Sequence, residues 1–403
     1  MNSSKKNYFQ ESSLTITEVA YGGRGVGRIG GKVCFVRGVL PGETARVRIT
    51  RNRADFVEAE AAEILDPSPH RITPVCPLAG SCPGCTYQHA AYGKEIRMKQ
   101  DQFLSLLERH AGCGREPILP PVAAPSELGY RNKIALHAQA DAPDMRLGYF
   151  MADNTTVLDV PACPLAVAPL NAVLADRRRD PSFRHTLRDG MTLTFRWTET
   201  NGAVWWRNRA AENDVWLVES SVIGPLSVPR NSFYQMNPAM ADQLVTAVMD
   251  RLKAHLPERV IDLYCGVGVF ALAAATLGVP GVVGIDLDGP GIKAAEFNAR
   301  KLGLANTRWS AATANAGIPG FESAAPDRTT LIVDPPRSGL GRVMIREILK
   351  QGPARLLYIS CAPDTLARDA AWLKEGGYAI ATTQLFDLFP RTAHFESLTE
   401  FQR

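Results

Sequence analysis

The sequence predicts an α/β protein: a doubly wound, mainly parallel sheet over residues 231–403, preceded by a small β-barrel over 1–65 and a β-rich segment over 66–230. Three observations predict it. From residue 231 onward, four apolar runs (Arg259 to Tyr264, Val282 to Asp286, Thr330 to Asp334, Arg355 to Ser360) are each followed by a turn and a helix-like stretch. That alternation builds a parallel sheet with crossover helices. Residues 14–65 instead alternate and turn often, punctuated by Gly22-Gly-Arg-Gly-Val-Gly-Arg-Ile-Gly-Gly31 and Pro41-Gly, a pattern of short strands suited to a barrel. Between these regions, strands are expected around Asn132 to His137, Met191 to Trp197, Ala203 to Trp206 and Val215 to Val218. Proline-rich linkers (Asp66 to His70, Pro117 to Pro125) flank a Cys-rich loop and a helix over about 92–110. Ile96, Phe103, Leu104 and Leu107 give that helix an apolar face, which leaves it free to pack on the catalytic segment.

Composition narrows the class. The 403 residues carry 45 Lys+Arg against 41 Asp+Glu, a net charge of +4, with 45% apolar residues and eight cysteines. Disordered, collagen-like and small disulfide-scaffold proteins all have other compositions. The basic residues are locally concentrated: Arg24, Arg28, Lys32, Arg37, Arg46, Arg48, Arg51 and Arg53 face Glu43 alone, a local net of +7. On a small barrel such a run is either a solvated face or a positive groove for single-stranded nucleic acid. The first residues, with Lys5 and Lys6, lack an apolar core of signal-peptide length, so a cytoplasmic protein is expected, with no membrane partner. Cys265 to Ile285 is 21 residues without a charge, but its five glycines and proline and its flanking Asp262 and Asp286 fit strand, turn, helix and strand better than a membrane span. Cysteines in that compartment point to metal, cluster, catalysis or packing.

Asp262-Leu-Tyr-Cys-Gly-Val-Gly268 lies between the first strand and the first helix, where an open α/β sheet places its ligand. Asp286 closes the second strand, 18 residues beyond Gly268, where an acidic side chain accepts from ribose hydroxyls. Nicotinamide and S-adenosylmethionine cofactors both fit this pattern. Asp334-Pro-Pro-Arg337 forms a stiff turn at a strand's carboxyl end. Cys361 sits in the turn after the next strand, just ahead of a helix that Asp364 is placed to cap. The dipole of that helix is expected to favour a thiolate. Near the end of the chain, His394 and Glu396 would share one face of a strand, either as an acid/base pair or as a salt-linked edge.

Cys76, Cys82 and Cys85 place three soft ligands within ten residues of a Gly/Pro loop, and Cys163 offers a fourth. Four thiolates suit zinc or an iron–sulfur cluster equally; His89 as the fourth ligand would favour zinc.

Five motifs then occur in order: Phe233-Tyr-Gln235-Met-Asn237, Asp262-Leu-Tyr264-Cys-Gly266-x-Gly268, Asp334-Pro-Pro-Arg-x-Gly339, Ser360-Cys361-x-Pro363-x-Thr-Leu-Ala-Arg-Asp369 and Phe389-Pro-x-Thr-x-His394-x-Glu396. With these motifs the sequence resembles the RNA uracil-5 methyltransferases, which make 5-methyluridine in ribosomal and transfer RNA. The resemblance implies a Rossmann-like class I methyltransferase domain using S-adenosylmethionine. It implies that Gln235, Tyr264, Asp286 and Asp334 bind that cofactor, that Cys361 is the nucleophile, and that Glu396 accepts the C5 proton. It also favours a [4Fe-4S] cluster on Cys76, Cys82, Cys85 and Cys163. The amino-terminal barrel resembles the OB-like TRAM module, through Gly-Arg-Gly-Val-Gly-Arg, Phe-Val-Arg-Gly-Val and Leu-Pro-Gly-Glu. Barrel and cluster together are most similar to members acting on 23S ribosomal RNA, with transfer RNA the alternative substrate and no obligate protein partner. The region Trp309 to Asn315 lacks the acidic residue often found near the adenine, and Arg337 replaces the aromatic residue that marks exocyclic-amine methylation.

The chemistry asks for these residue types. Uracil C5 is a poor nucleophile until a thiolate adds at C6, and a carboxylate must then remove the C5 proton. A reading of another class is a redox-responsive RNA-binding protein with an idle transferase domain; an intact Cys361 and Glu396 argue against it.

Overall fold

The computed structural model describes residues 11–141, 144–207, 215–313 and 325–403. Lys5, Lys6, Ala314 and Asn315 lie outside the described residues. The chain divides into two compact units, one of residues 1–103, 150–156 and 391–393, the other of residues 104–149, 157–390 and 394–403.

In the first unit six strands form one sheet: β1 (Glu11–Thr15), β2 (Glu18–Ala20), β3 (Arg24–Ile29), β4 (Lys32–Arg37), β5 (Thr44–Asn52) and β6 (Phe56–Asp66), ordered β1-β5-β6-β4-β3-β2. The edge strands β1 and β2 are separated only by Ile16 and Thr17, so the sheet must curl until its edges nearly meet, as a barrel requires. Period-two alternation fills the interior: Ala45, Val47 and Ile49 of β5 point inward with Leu14, Cys34, Val36 and Val57, while Arg46 and Arg48 stay outside. The Leu-Pro-Gly-Glu turn is held by its own carboxylate. Glu43 is fully buried and accepts from the backbone N–H of Leu40 (2.7 Å) and Ser68 (3.1 Å) and from the Arg71 guanidinium. Burial pushes the Glu43 pKa up, but those bonds and the Arg71 charge outweigh it and hold the carboxyl below its ordinary range.

The basic excess expected from Arg24 to Arg53 is about half cancelled by the fold. Arg24 and Arg51 pair with Glu58 (2.8 and 3.5 Å), Arg46 with Glu63 and Arg48 with Glu60 (both 3.1 Å). The glutamates belong to β6, just beyond the end of the basic run and adjacent to β5 in the sheet. Arg28, Lys32, Arg37 and Arg53 make no ion pair among the described residues. The barrel's free positive charge is therefore smaller than the run of sequence implies.

Helix α1 (Tyr92–Ala111) forms where the apolar spacing predicts it. In the second unit, β7 (Lys133–Asp141), β8 (Asp144–Phe150), β9 (Val157–Asp159), β10 (Thr192–Thr198) and β11 (Gly202–Arg207) make an antiparallel sheet ordered β11-β10-β7-β8-β9. Helices α2 (Ala168–Arg179) and α3 (Pro181–Arg184) share its core of Leu136, Leu147, Leu170, Leu174, Phe183 and Phe195. A hairpin of β12 (Trp216–Glu219) and β13 (Leu226–Pro229) follows.

The remaining elements are α4 (Pro238–Ala254), β14 (Arg259–Leu263), α5 (Val269–Thr276), β15 (Gly281–Asp286), α6 (Gly289–Lys301), β16 (Thr307–Ala311), β17 (Thr329–Val333), α7 (Gly341–Gln351), β18 (Arg355–Ser360), α8 (Pro363–Glu375), β19 (Ala379–Phe386) and β20 (Glu396–Gln402). Their seven strands are ordered β16-β15-β14-β17-β18-β20-β19, parallel except for β20, which runs antiparallel between β18 and β19. The chain leaves β14 toward β15 on one side and returns to β17 on the other. That reversal opens a crevice at the carboxyl ends of β14 and β17. The uncharged Cys265 to Ile285 stretch is the loop, α5, turn and β15. No helix among the described residues is long and apolar enough to cross a membrane.

Candidate active site

The crevice at the reversal is a cleft of about 530 Å³, counted out to open solvent, lined among others by Phe233, Gln235, Tyr264, Gly266 and Asp334. Three of the four cofactor residues expected from sequence are therefore gathered in one place. Tyr264 leaves β14 with φ +64°, a left-handed turn that a non-glycine residue adopts only when its surroundings impose it. Phe233, on the approach to α4, is 64% exposed at the cleft wall. Its neighbour Asn237 caps α4 through Met240 N–H (3.4 Å) while its amide donates to the Leu388 carbonyl (2.9 Å). One side chain thus ties the Gln235 segment to the strand of chain that leads to Glu396.

Asp286, the fourth expected cofactor residue, braces the glycine loop rather than lining the cleft. Its Oδ2 accepts from Gly266 N–H (2.8 Å) and its Oδ1 from Asp288 N–H (2.7 Å). A carboxylate has further lone pairs, so hydroxyl donors can still be accepted. Asp262 is the residue in this loop to which sequence reasoning gave no role. It is fully buried, its Oδ2 holds Ala271 N–H at the start of α5 (2.9 Å), and its Oδ1 is buried with no partner. Burial, then the nearby Asp334 and Asp286, push its pKa well up. A Cβ at Gly266 would meet only open space, whereas one at Gly268 (φ +82°) would lie 2.6 Å from the Trp309 ring. Trp309, on β16 where an acid was missing, packs under the loop. An orphaned buried oxygen, a bare loop backbone and an aromatic-walled cleft fit an adenosine-bearing cofactor.

Beside the cleft stand Cys361 and Glu396. Ser360 of β18 pairs with Ser397 of β20, so Cys361, just after Ser360, and Glu396, just before Ser397, flank that last pair and lie within electrostatic reach of one another. The Cys361 thiol is partly exposed and Glu396 is 3% exposed, with its Oε2 buried and unpartnered. Two expectations fail here. Asp364 does not cap α8: the cap position is Ala362, with no side-chain bond, and Asp364 sits in the first turn. Nor is the thiol acidified. Burial, then the charges of Glu396 and Asp334, push the Cys361 pKa up to about 11, against the opposing pull of Arg337. Glu396 is itself raised well above its ordinary value by burial and by Asp334. Burial and Asp286 lift Asp334 to about 7. Arg337, noted in the sequence only as a departure, is the cation facing both Cys361 and Glu396. His394 lies before β20 rather than on it, so the shared-face arrangement with Glu396 does not occur.

Asp369 is a residue whose role only the structure gives. Fully buried on α8, it accepts from Tyr358 Oη on β18 (2.9 Å) and from Leu340 N–H (2.7 Å). Arg368 next to it donates to the Ser338 carbonyl (2.8 Å), and Thr365 Oγ1 to the Arg337 carbonyl (3.1 Å). These bonds lash the Asp334–Leu340 turn to the helix that follows Cys361. The motif ending in Asp369 and the motif ending in Gly339 are one device.

The cysteine quartet looks different. Cys76, Cys82 and Cys85 belong to the first unit and Cys163 to the second, and none of the eight cysteines is joined in a disulfide. The Cys85 sulfur accepts from Gln88 Nε2 (3.6 Å), and Cys163 packs against the middle-sheet core. Among the described residues no group of three or more His, Cys, Asp or Glu is disposed to hold a metal ion. His89, the alternative ligand, is turned toward Val39 and Arg71; burial and the Arg71 charge hold its pKa down.

With this geometry in view, comparison with known proteins is decisive. The family model for tRNA (uracil-5-)-methyltransferase matches residues 226–402, and the TRAM domain model matches residues 5–62. The 23S rRNA (uracil(1939)-C(5))-methyltransferase RlmD of Edwardsiella ictaluri is 31% identical, over 96% of this chain and 95% of its own. The chain belongs to the RNA uracil-5 methyltransferase family. Members depend on S-adenosylmethionine, and the cleft at β14 and β17 is where such a fold places it. An uncharacterized RNA methyltransferase of Thermosynechococcus vestitus is 30% identical over 96% of both chains. The tRNA (uracil-54, C5)-methyltransferase of Pyrococcus abyssi, solved with S-adenosyl-L-homocysteine, superposes with a TM-score of 0.72 at 21% identity, covering 96% of this chain and 100% of that one. At that identity the match establishes the shared fold.

Proposed function

We propose that the protein methylates C5 of a uridine in 23S ribosomal RNA, in the cytoplasm, through a covalent adduct between Cys361 and uracil C6. S-adenosylmethionine, when bound, supplies an electrophilic methyl on a sulfonium. The Cys361 thiolate adds to C6, the C5–C6 electron pair moves toward the C4 oxygen, and C5 becomes nucleophilic. Once C5 carries the methyl, the Glu396 carboxylate takes the C5 proton. The C5–H electron pair freed by that deprotonation forms the C5–C6 double bond as the C6–S bond breaks, returning Cys361 as thiolate. Arg337, close to both groups, stabilises the anionic forms the cycle requires. Gln235, Tyr264 and Asp334 line the cofactor cleft, and Asp286 shapes it.

The observation that carries this reading is that Cys361 and Glu396 flank the last β18–β20 pair and interact electrostatically with one another and with Asp334 of that cleft. The test is incubation with S-adenosylmethionine and RNA containing 5-fluorouridine, whose fluorine cannot leave as a proton. A covalent protein–RNA adduct is expected, and Cys361→Ala should form none; an undiminished adduct in that variant rejects the mechanism. The substrate assignment is supported by the 23S rRNA enzymes among the similar chains. Mapping 5-methyluridine in total RNA from a strain lacking the protein decides it, since loss from transfer RNA alone would overturn it.

Two sequence expectations stand as separate proposals. One is the division into segments 1–65, 66–230 and 231–403. The other is a [4Fe-4S] cluster on Cys76, Cys82, Cys85 and Cys163, supported by spacing and resemblance alone. No step of the reaction runs through it. Iron and sulfide in anaerobically purified protein are the expected result; a single zinc, or no metal, rejects the cluster.

A further inference from the structure

Between α7 and α8 lies a groove of about 730 Å³, counted out to solvent, lined by Arg342, Ile345, Arg346, Leu349, Trp372, Glu375 and Gly376. It is separate from the cofactor cleft and no step of the chemistry uses it. Its floor is apolar, with Ile345 buried and Leu349 half-buried. Its rim is basic and aromatic. The guanidinium of Arg342 lies 4.6 Å and that of Arg368 5.0 Å from the centroid of the Trp372 ring. Arg342 and Arg346, one helical turn apart, are both exposed and make no ion pair among the described residues. This contrasts with the barrel, where four arginines are paired to glutamates. Glu375 at the far end is the one acid lining the groove.

The groove connects to the reaction site. Arg368 donates to the Ser338 carbonyl (2.8 Å), and Ser338 follows Arg337, the cation facing Cys361 and Glu396. Guanidinium groups thus mark a track from the nucleophile, through Arg337 and Arg368, the latter ion-paired to Asp369 (2.8 Å), to Trp372 and the unpaired Arg342 and Arg346.

We propose that this track is a second RNA-binding surface, which holds the single-stranded segment flanking the reacting uridine. The proposal rests on the RNA substrate of the reading above. Charge complementarity selects the occupant. Phosphates need unpaired arginines, as Arg342 and Arg346 are, and bases stack on aromatic and guanidinium faces such as those gathered at Trp372. A catalytic pocket that takes one nucleotide out of a strand needs the neighbouring phosphates held, and the track begins beside that pocket.

The test uses full-length protein and a fluorescein-labelled 12-nucleotide oligouridine carrying 4-thiouridine. Arg342→Ala/Arg346→Ala should weaken binding about tenfold at physiological salt and lower the slope of log K against log salt by about 1.4, two phosphate contacts' worth for a single strand. Photo-cross-links should map to peptides of α7 and α8 in the native protein and disappear in the variant. S-adenosylmethionine affinity and melting temperature should be unchanged, which separates lost contacts from lost folding. Unaltered affinity and slope, or cross-links confined to other segments, overturn the proposal; an acidic protein segment as the true occupant would give that result. Failure of the uracil-methylation reading is distinguishable, because it abolishes methyl transfer while oligouridine binding and its cross-links persist.

Discussion

Cys361 and Glu396 flank the Ser360–Ser397 pair, the last of the antiparallel ladder between β18 and β20, and interact electrostatically. Ser397 Oγ donates across that pair to the Ser360 carbonyl (3.3 Å) and fixes the separation of the two strand ends. A β-ladder is a stiff ruler, since a slip of one residue would turn either side chain to the other face of the sheet. The reversed strand β20 thus brings Glu396 to the same end of the sheet as Cys361.

The ligand-free thiol should be unreactive at neutral pH. With a pKa of about 11, roughly one Cys361 in a thousand is thiolate at pH 8. Iodoacetamide labelling of Cys361, followed by mass spectrometry, should accelerate about tenfold per pH unit until near pH 11. Because the Glu396 charge raises that pKa, Glu396→Gln should bring the rise to lower pH. A labelling midpoint near 9 in the native protein would contradict the burial and charge argument.

Glu396→Gln should separate activity from stability. The native carboxylate is buried with an unpartnered oxygen, a condition that costs folding energy. A neutral amide of the same shape relieves it, so the melting temperature should hold or rise. Methyl transfer to RNA should fall by about 10²–10⁴, the usual contribution of a positioned base. Equal losses in turnover and melting temperature would mean that the residue acts only in the fold.

Much of this site was legible in sequence because each motif sits where an apolar strand ends. Runs such as Arg355 to Ser360 announce themselves, and the turn after each carries Tyr264, Asp334 or Cys361. What was illegible is pairing across distance. Nothing local to Arg46, Arg48 or Arg51 reveals that β6 lies alongside with its glutamates. Nor does the dipole of α8 reveal that Glu396 and Asp334 oppose it from other strands. That Asp286, expected to bind the cofactor, would spend two bonds on the loop backbone depends on the turn conformation, which sequence does not fix.

Asp369 should behave as a structural latch. Asp369→Ala leaves Tyr358 Oη and Leu340 N–H buried without their acceptor, a loss of about 2–4 kcal/mol from two orphaned donors. Tyr358→Phe removes donor and bond together and should cost only about 1 kcal/mol. Urea unfolding of both variants measures the difference. Similar costs would show that the Asp334–Leu340 turn is held by other contacts.

Gly268 and Trp309 make the final case. Gly268 has φ +82°, and a Cβ there would lie 2.6 Å from the Trp309 ring and 2.9 Å from Ala295 Cβ. Gly268→Ala therefore adds left-handed strain of about 1–2 kcal/mol to a steric conflict on two sides. The loop must shift, and Gly266 N–H, bonded to Asp286, shifts with it. Calorimetric titration should show S-adenosylhomocysteine binding weakened by tenfold or more. Gly268→Ala/Trp309→Leu removes the larger obstacle but keeps the backbone strain, so it should recover part of that affinity. Full recovery would assign the whole defect to the ring, and no recovery would assign it to the backbone conformation and Ala295.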